Sequence, residues 1–193
     1  MADGIANLSR QAILDGAISL IANDRNVALS EVARRLGVGR TSLYRHFSDR
    51  GTLLEEVRME GARRVIAAIV AAHPGEGSGL SAIERICEHL FDLGPVLSLL
   101  LADNPIITDA DLERSDVLES IGIGDISDDS MQTAIARGHR DGTIDTSLPA
   151  DWIETFVWMT LAAGHLHAEQ VASRRVALDL VLRSVCRSLT PAH

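Results

Sequence analysis

The chain has 193 residues and a formal net charge of −9, so it is long enough to bury a sizeable core. All 18 basic residues are arginine, which excludes a Walker-type phosphate loop and Schiff-base catalysis because both require lysine. The charge is uneven: residues 1–65 carry +2 and the remainder carries −11. The N-terminal part is therefore the one suited to a polyanion, which would repel the acidic remainder.

The N-terminal third predicts four helices, because apolar residues recur at intervals of three and four. The first is expected from an N-cap at Ser9 to Ala22, with Asn23 or Asn26 ending it in the left-handed conformation. Short helices are predicted over residues 29–36 and 40–47, joined by a turn in which Gly37 is left-handed. A longer helix is expected over residues 50–72.

Residues 73–79 are rich in Pro and Gly and predict a linker. Beyond it, helices are predicted over residues 81–93 and 95–102. Residues 103–128 give mixed signals and receive no assignment. A helix that follows them is expected to end at about residue 140, and two more are predicted over 149–170 and 174–189. The predicted fold is all-α. It consists of an N-terminal three-helix domain with a helix-turn-helix over residues 1–50, and a C-terminal helical bundle over 51–193, in which 51–72 form a connecting helix.

The N-terminus lacks the basic and apolar pattern of a secretory signal, and the most apolar stretch, residues 152–166, is too short to cross a bilayer. We therefore expect a cytoplasmic protein that does not enter the membrane. In a reducing cytosol the two cysteines, Cys87 and Cys186, are expected to be small apolar core residues.

The third predicted helix has two unlike faces. Leu43 and Phe47 share the apolar face, while Thr41 and Arg45 point away from it. Polar side chains flank the outward pair: Ser42, Tyr44, His46 and Ser48. A helix with this outer face suits the major groove of DNA, although an ordinary helical hairpin with a polar surface presents similar residues.

The motifs Leu36-Gly37-Val38 and Ser42-Leu43-Tyr44-Arg45-His46-Phe47, followed by Arg50, resemble the DNA-binding domain of the TetR/AcrR family of regulators. The resemblance covers about residues 9–58 and implies a ligand-responsive DNA-binding regulator, a repressor that binds a near-palindromic operator as a dimer. It further implies that the domain over residues 1–50 binds DNA and that the domain over 51–193 binds the ligand and dimerises. It also implies roles by position. The base-contacting residues are Arg40, Thr41 and Arg45, and the phosphate-contacting residues are Ser30, Ser42, Tyr44, His46 and Arg50.

The C-terminal region offers candidates for an effector pocket and a dimer interface. The resemblance implies a small, largely apolar effector, for which we name Phe91, Trp158 and His165. Residues 152–166 of the helix over 149–170 are apolar nearly all round, so part of its surface is expected to pair with a second copy. The interface residues we predict on the last two helices are Phe156, Leu178, Val181, Leu182 and Val185.

The competing interpretation is a helical-bundle enzyme or small-molecule carrier whose N-terminal hairpin is only structural. The sequence contains no nucleophile elbow, no His-Glu-x-x-His and no Glu-x-x-His pattern. We therefore expect no catalytic residues, no metal site and no cofactor.

Overall fold

The computed structural model describes residues 8–122, 130–171 and 173–191, and the elements within these ranges are eleven helices. The helices of the N-terminal third are α1 (Arg10–Asn23), α2 (Leu29–Leu36), α3 (Arg40–His46) and α4 (Arg50–Ala71). Those of the body are α5 (Gly79–Phe91), α6 (Pro95–Leu100), α7 (Asp109–Leu112), α8 (Ser115–Ser120), α9 (Met131–Asp141), α10 (Ala150–Gln170) and α11 (Arg174–Leu189). The predicted all-α fold is confirmed.

The N-terminal helices follow the sequence closely. Ser9 caps α1 by accepting a hydrogen bond from the Ala12 amide, and α2 has the predicted bounds. Gly37 ends α2 with φ 66°, the left-handed conformation expected for the turn. Leu43 and Phe47 are fully buried, so α3 is held against the core by the predicted apolar face.

The turn after α1 is built differently from the prediction. Asn23 and Asn26 do not adopt the left-handed conformation, and α1 ends instead at Asp24 with extended backbone. The Asp24 carboxylate accepts a hydrogen bond from the Asn26 amide (3.0 Å), and its carbonyl accepts one from the Val27 amide. A local side-chain turn therefore replaces the left-handed residue.

The body begins at the predicted linker, but α5 starts earlier than residue 81. Ser78 is the N-cap and accepts a hydrogen bond from the Ser81 amide, so the helix opens at Gly79. This position brings α5 against α9: a Cβ on Gly79 would lie 2.1 Å from the backbone nitrogen of Gly138. Only glycine permits that approach.

The unassigned stretch after α6 contains two short helices, α7 and α8, and both pack on α4. Thr108 and Asp111 form a capping box at the start of α7. Residues 123–128 of the stretch lie outside the described ranges. Sequence periodicity gave no assignment here because helices of four and six residues are too short to show one.

The last two helices have nearly the predicted bounds, with Pro149 as the N-cap of α10. They pack closely at Gly164, where a Cβ would lie 2.2 Å from Cγ2 of Val181. Val181 and Val185 are buried within this single chain, so the prediction that places these two residues in a dimer interface is wrong. None of the described helices is long and apolar enough to span a membrane.

Candidate functional site

The outer face of α3 presents side chains without partners in the protein. Arg40, Thr41, Tyr44 and Arg45 are exposed, and Tyr44 retains 47% of its accessible surface. Within the described residues, the two arginines form neither an ion pair nor a side-chain hydrogen bond. Their charges are therefore available to an external partner.

The arginines of the preceding helix are different. Both guanidinium groups of Arg34 and Arg35 bind Glu31, with N–O distances of 2.5 and 2.8 Å. Hydrogen bonds from Arg34 and then Arg35 lower the pKa of Glu31 to about 2, so the carboxylate stays charged. The positive charge of this region is consequently concentrated on α3.

The remaining predicted phosphate contacts occupy the edges of this face. Ser42, His46 and Ser30 are half-buried at the flanks of α3 and the start of α2. Ser48, beside them, bonds to Asp49 and Thr52 at the opening of α4. Asp49 caps α4 by accepting a hydrogen bond from the Thr52 amide, and hydrogen bonds, the largest from this amide, lower the pKa of Asp49.

Arg50 has a structural setting that the sequence did not reveal. Its guanidinium donates from Nε to the carbonyl of Val27 (3.2 Å) and from Nη2 to the carbonyl of Arg25. The side chain thus ties the start of α4 to the turn between α1 and α2. Arg25 in turn donates to the carbonyls of Ser98 and Asn104, which connects the same turn to the end of α6.

A charged cluster that the sequence analysis missed joins α1 to α4. Glu60 is only 7% exposed and accepts hydrogen bonds from Gln11, Arg63 and Arg64. Arg64 also binds Asp15 of α1. Burying a carboxylate is costly unless it is paired, and here the three donors supply that pairing. The only sequence signal was an i, i+3 and i, i+4 spacing of opposite charges on one helix.

The three residues named for an effector pocket do not converge. Trp158 lines a cavity of about 360 Å³ between α4, α6, α7, α9 and α10. His165 lines a different and more polar cavity of about 550 Å³ between α1, α6 and α10, where its Nε2 lies 2.6 Å from the hydroxyl of Ser98. Phe91 is buried beneath Gly164, with the guanidinium of Arg174 over its ring.

One surface of α10 and α11 remains apolar and exposed, and we call it the outer face. Its exposed side chains are Trp152, Met159, Leu166, Val176 and Leu180. Trp152 stacks on Phe156, whose ring lies 5.3 Å away and nearly parallel. Leu178 and Leu182 are half-buried and pack on the protomer's own core. An apolar surface of this extent is typical of an interaction site.

The chain combines a helix-turn-helix, whose outer face bears unpaired arginines, with an acidic helical body. These features define the class of helix-turn-helix DNA-binding proteins. Residues 13–57 match the family described as bacterial regulatory proteins, tetR family. The HTH-type transcriptional repressor LfrR of Mycolicibacterium smegmatis is 27% identical over 182 residues, which cover 94% of this chain and 90% of LfrR.

Solved structures match this fold over 95% or more of the chain. The TetR-like regulator LfrR from Mycobacterium smegmatis, in complex with proflavine, is 25% identical with a TM-score of 0.67, covering 95% of this chain and 97% of that chain. The ketosteroid transcriptional regulator KstR2 of Mycobacterium tuberculosis has a TM-score of 0.66 at 14% identity, covering 100% of both chains, which supports the fold alone. The chain is similar to TetR-family regulators, and these similarities support a ligand-responsive DNA-binding transcriptional regulator. The carrier or enzyme interpretation is not favoured.

Proposed function

We propose that this protein is a repressor that binds a near-palindromic operator as a homodimer, in the cytoplasm, and releases it when a small organic molecule binds the body. The observation that carries the proposal is the contrast on adjacent helices between Arg34 and Arg35, which are paired with Glu31, and Arg40 and Arg45, which are unpaired. Unpaired arginines on the exposed face of the second helix of a helix-turn-helix are suited to contact base edges and phosphates.

The assignment of contacts follows the geometry of α3. Arg40, Thr41 and Arg45 are the proposed base contacts: Thr41 and Arg45 lie on the exposed side opposite Leu43, and Arg40 is exposed in the first turn of the helix. Ser42, Tyr44, His46 and Ser30 flank this side and are the proposed phosphate contacts. Arg50 is retained as a phosphate contact only through the part of its guanidinium that the backbone carbonyls leave accessible.

The effector is proposed to act through α7. Asp109 and Leu112 of α7, and Glu113 at its C-cap, line the 360 Å³ cavity, and Asp111 of the same helix binds Arg58 of α4. A ligand that moves α7 therefore moves the connecting helix that carries the DNA-binding domain. The solved complex of the relative LfrR with proflavine supports a small organic ligand for a regulator of this fold. Coupling of this kind is worth about 1–3 kcal/mol.

The proposal is tested by a gel shift with a DNA fragment from upstream of the protein's own gene. We expect retardation by the wild-type protein. Arg45→Ala should weaken binding by about 1–3 kcal/mol and relax the base preference at one position in each half-site. Arg140→Ala is the matched control, because Arg140 is an exposed arginine of the body on α9. Equal loss for both variants, or full affinity for Arg45→Ala, would contradict the assignment.

A further inference from the structure

The N-terminal third contains ten arginines, but most of them are held by other groups of the protein. Within the described residues, Arg40 and Arg45 alone among the ten form neither an ion pair nor a side-chain hydrogen bond. Each of the other eight binds a carboxylate or a backbone carbonyl. Free positive charge is confined to α3 only because these eight have partners.

Two of the paired arginines, Arg34 and Arg35, end the helix that precedes α3. Their side chains retain 71% and 41% of their accessible surface. Ser30, a proposed phosphate contact, lies four residues before Arg34, so the two share a face of α2. The first helix of a helix-turn-helix crosses the DNA backbone. Both arginines would therefore be available to phosphates if the protein did not occupy them.

The group that occupies them is the carboxylate of Glu31. Arg34 donates to it from Nε (2.7 Å) and from Nη2 (2.5 Å), and Arg35 donates from Nε (2.8 Å). The paired donors of Arg34 form the same fork that binds a phosphate, so carboxylate and phosphate compete for it. The negative charge of Glu31 also repels an approaching phosphate.

Phosphate contacts act on every DNA sequence, because the backbone carries no sequence information. They supply essentially all of the binding to non-specific DNA. On an operator, the base contacts of α3 hold the helix-turn-helix in one register. On any other sequence it is free to take the register in which its arginines meet the most phosphates. Additional free arginines would therefore strengthen non-specific binding more than operator binding.

We propose that Glu31 is a specificity-determining residue. It holds Arg34 and Arg35 away from the phosphates, and so restrains binding to DNA of arbitrary sequence more than binding to the operator. This rests on the proposed function in taking the helix-turn-helix to be the part that contacts DNA.

The test is Glu31→Gln in the full-length protein, with a short fluorescent duplex of arbitrary sequence. Binding isotherms over about 0.05–0.2 M salt give the affinity and the salt slope, the change in its logarithm with the logarithm of salt concentration. We expect a slope steeper by about one to two and, at about 0.1 M salt, an affinity at least about fivefold higher. Unchanged affinity and slope would overturn the proposal.

Glu55→Gln is the matched control for net charge. It removes the same charge from the N-terminal third but frees no arginine, because Arg58 keeps its bond to Asp111 and Arg114 keeps its bond to Asp116. Its affinity and salt slope should stay close to those of the wild-type protein. A gain equal to that of Glu31→Gln would show that net charge alone acts, and would contradict the proposal.

A triple variant assigns the gain to the two arginines. Arg34→Gln and Arg35→Gln, added to Glu31→Gln, should return the affinity and the salt slope to about the wild-type values. Circular dichroism verifies that α2 is retained, since partly exposed ion pairs contribute little to stability. A gain that persists without the arginines would refute their release as its cause.

The same isotherms with the DNA fragment from upstream of the gene test specificity. We expect Glu31→Gln to gain less on this fragment than on the arbitrary duplex, so the ratio of the two affinities falls. An equal gain on both would overturn the role in specificity.

The two DNAs also separate this inference from the proposed function. A wild-type protein that binds the upstream fragment no more tightly than the arbitrary duplex would remove the proposed function. The salt slopes on the arbitrary duplex would still decide whether Glu31 restrains Arg34 and Arg35. A wild-type preference for the upstream fragment, with Glu31→Gln unchanged on both DNAs, would remove this inference alone.

Discussion

Arg45 and Arg50 lie five residues apart, but their guanidinium groups have different surroundings. Arg45 is exposed and unpaired among the described residues, whereas Arg50 donates to the carbonyls of Arg25 and Val27. The resemblance to other regulators assigned Arg50 to phosphate alone. Sequence could not reveal its structural role, because the carbonyls it reaches lie in a turn 23 and 25 residues earlier.

We predict that Arg50→Ala lowers the free energy of unfolding by about 1–3 kcal/mol, because two carbonyls lose a charged donor. It should also weaken binding to all DNA sequences alike and reduce the salt slope by about one. Thermal melts and binding isotherms at several salt concentrations measure both effects. Unchanged stability would show that the carbonyl contacts contribute nothing, and an unchanged salt slope would remove the phosphate contact.

The two cysteines are predicted to be unreactive in the folded protein. Burial raises the pKa of Cys87 to about 12, and burial followed by a hydrogen bond to Glu84 raises that of Cys186 to about 12. Both thiols therefore stay protonated at neutral pH, and nucleophilic attack requires the thiolate. Because the unfolded chain ionises first, these groups reduce stability as the pH rises from 9 towards 12.

Titration with a disulfide reagent at pH 7.5 measures this directly. We expect almost no release of chromophore from the native protein and two equivalents after denaturation. Fast stoichiometric reaction of the native protein would contradict the protonated state assigned to these thiols.

Among the helices, the sequence predicted the bounds best where a cap or turn residue marks the end of the apolar pattern. The bounds of α2 and α11 agree with the prediction, and Ser9 and Gly37 cap the helices as expected. The prediction failed where a structure depends on distant contacts: Val181 and Val185 pack inward because Gly164 lets α10 approach α11. A helical pattern shows which residues share a face, but not which neighbour covers that face.

The contact between α4 and α7 is predicted to stabilise the fold and to couple the cavity to the DNA-binding domain. Asp111 is 1% exposed; burial acts to raise its pKa, but hydrogen bonds from Arg58 and Thr108 outweigh burial and hold the pKa below 3.8. We expect Asp111→Asn to lower the free energy of unfolding by about 1–3 kcal/mol at neutral pH. It should also weaken the effect of a cavity ligand on DNA affinity.

The pH dependence supplies the check. A lowered carboxyl pKa stabilises the fold above the ordinary value of 3.8, and this contribution is lost as the pH falls through the lowered value. The stability difference between wild type and Asp111→Asn should therefore shrink below pH 3.8. Asp116→Asn is the control, because Asp116 is exposed in its pair with Arg114 and should change stability little. Denaturant titrations at several pH values would refute the assignment if the two variants behaved alike.

At the scale of the whole molecule, charge and apolar surface are separated. The N-terminal third is net positive, the body is net negative, and the outer face of α10 and α11 is apolar. An acidic body turned away from DNA favours one orientation of approach. Two copies joined through the outer face would present two α3 helices to successive major grooves, about 34–36 Å apart.

We predict that Leu180→Glu converts a dimer into a folded monomer with much weaker operator binding. Leu180 is 41% exposed on the outer face beside the groove between α10 and α11, so substitution does not disturb the protomer core. In a two-fold symmetric interface the change buries two unpaired carboxylates, which costs several kcal/mol. Ala136→Glu introduces the same charge at an exposed position of α9 and should leave the dimer intact.

Sedimentation velocity at micromolar concentration measures the state of assembly, and circular dichroism verifies that each variant is helical. A charge at Val181 or Val185 is not an equivalent test, because both side chains lie in the protomer core and the chain would unfold. A monomeric wild-type protein, or a Leu180→Glu variant that remains dimeric and binds the operator normally, would exclude the outer face as the interface. A monomeric variant that still binds a single half-site would show that α3 recognises DNA independently and that dimerisation supplies the affinity for the full operator.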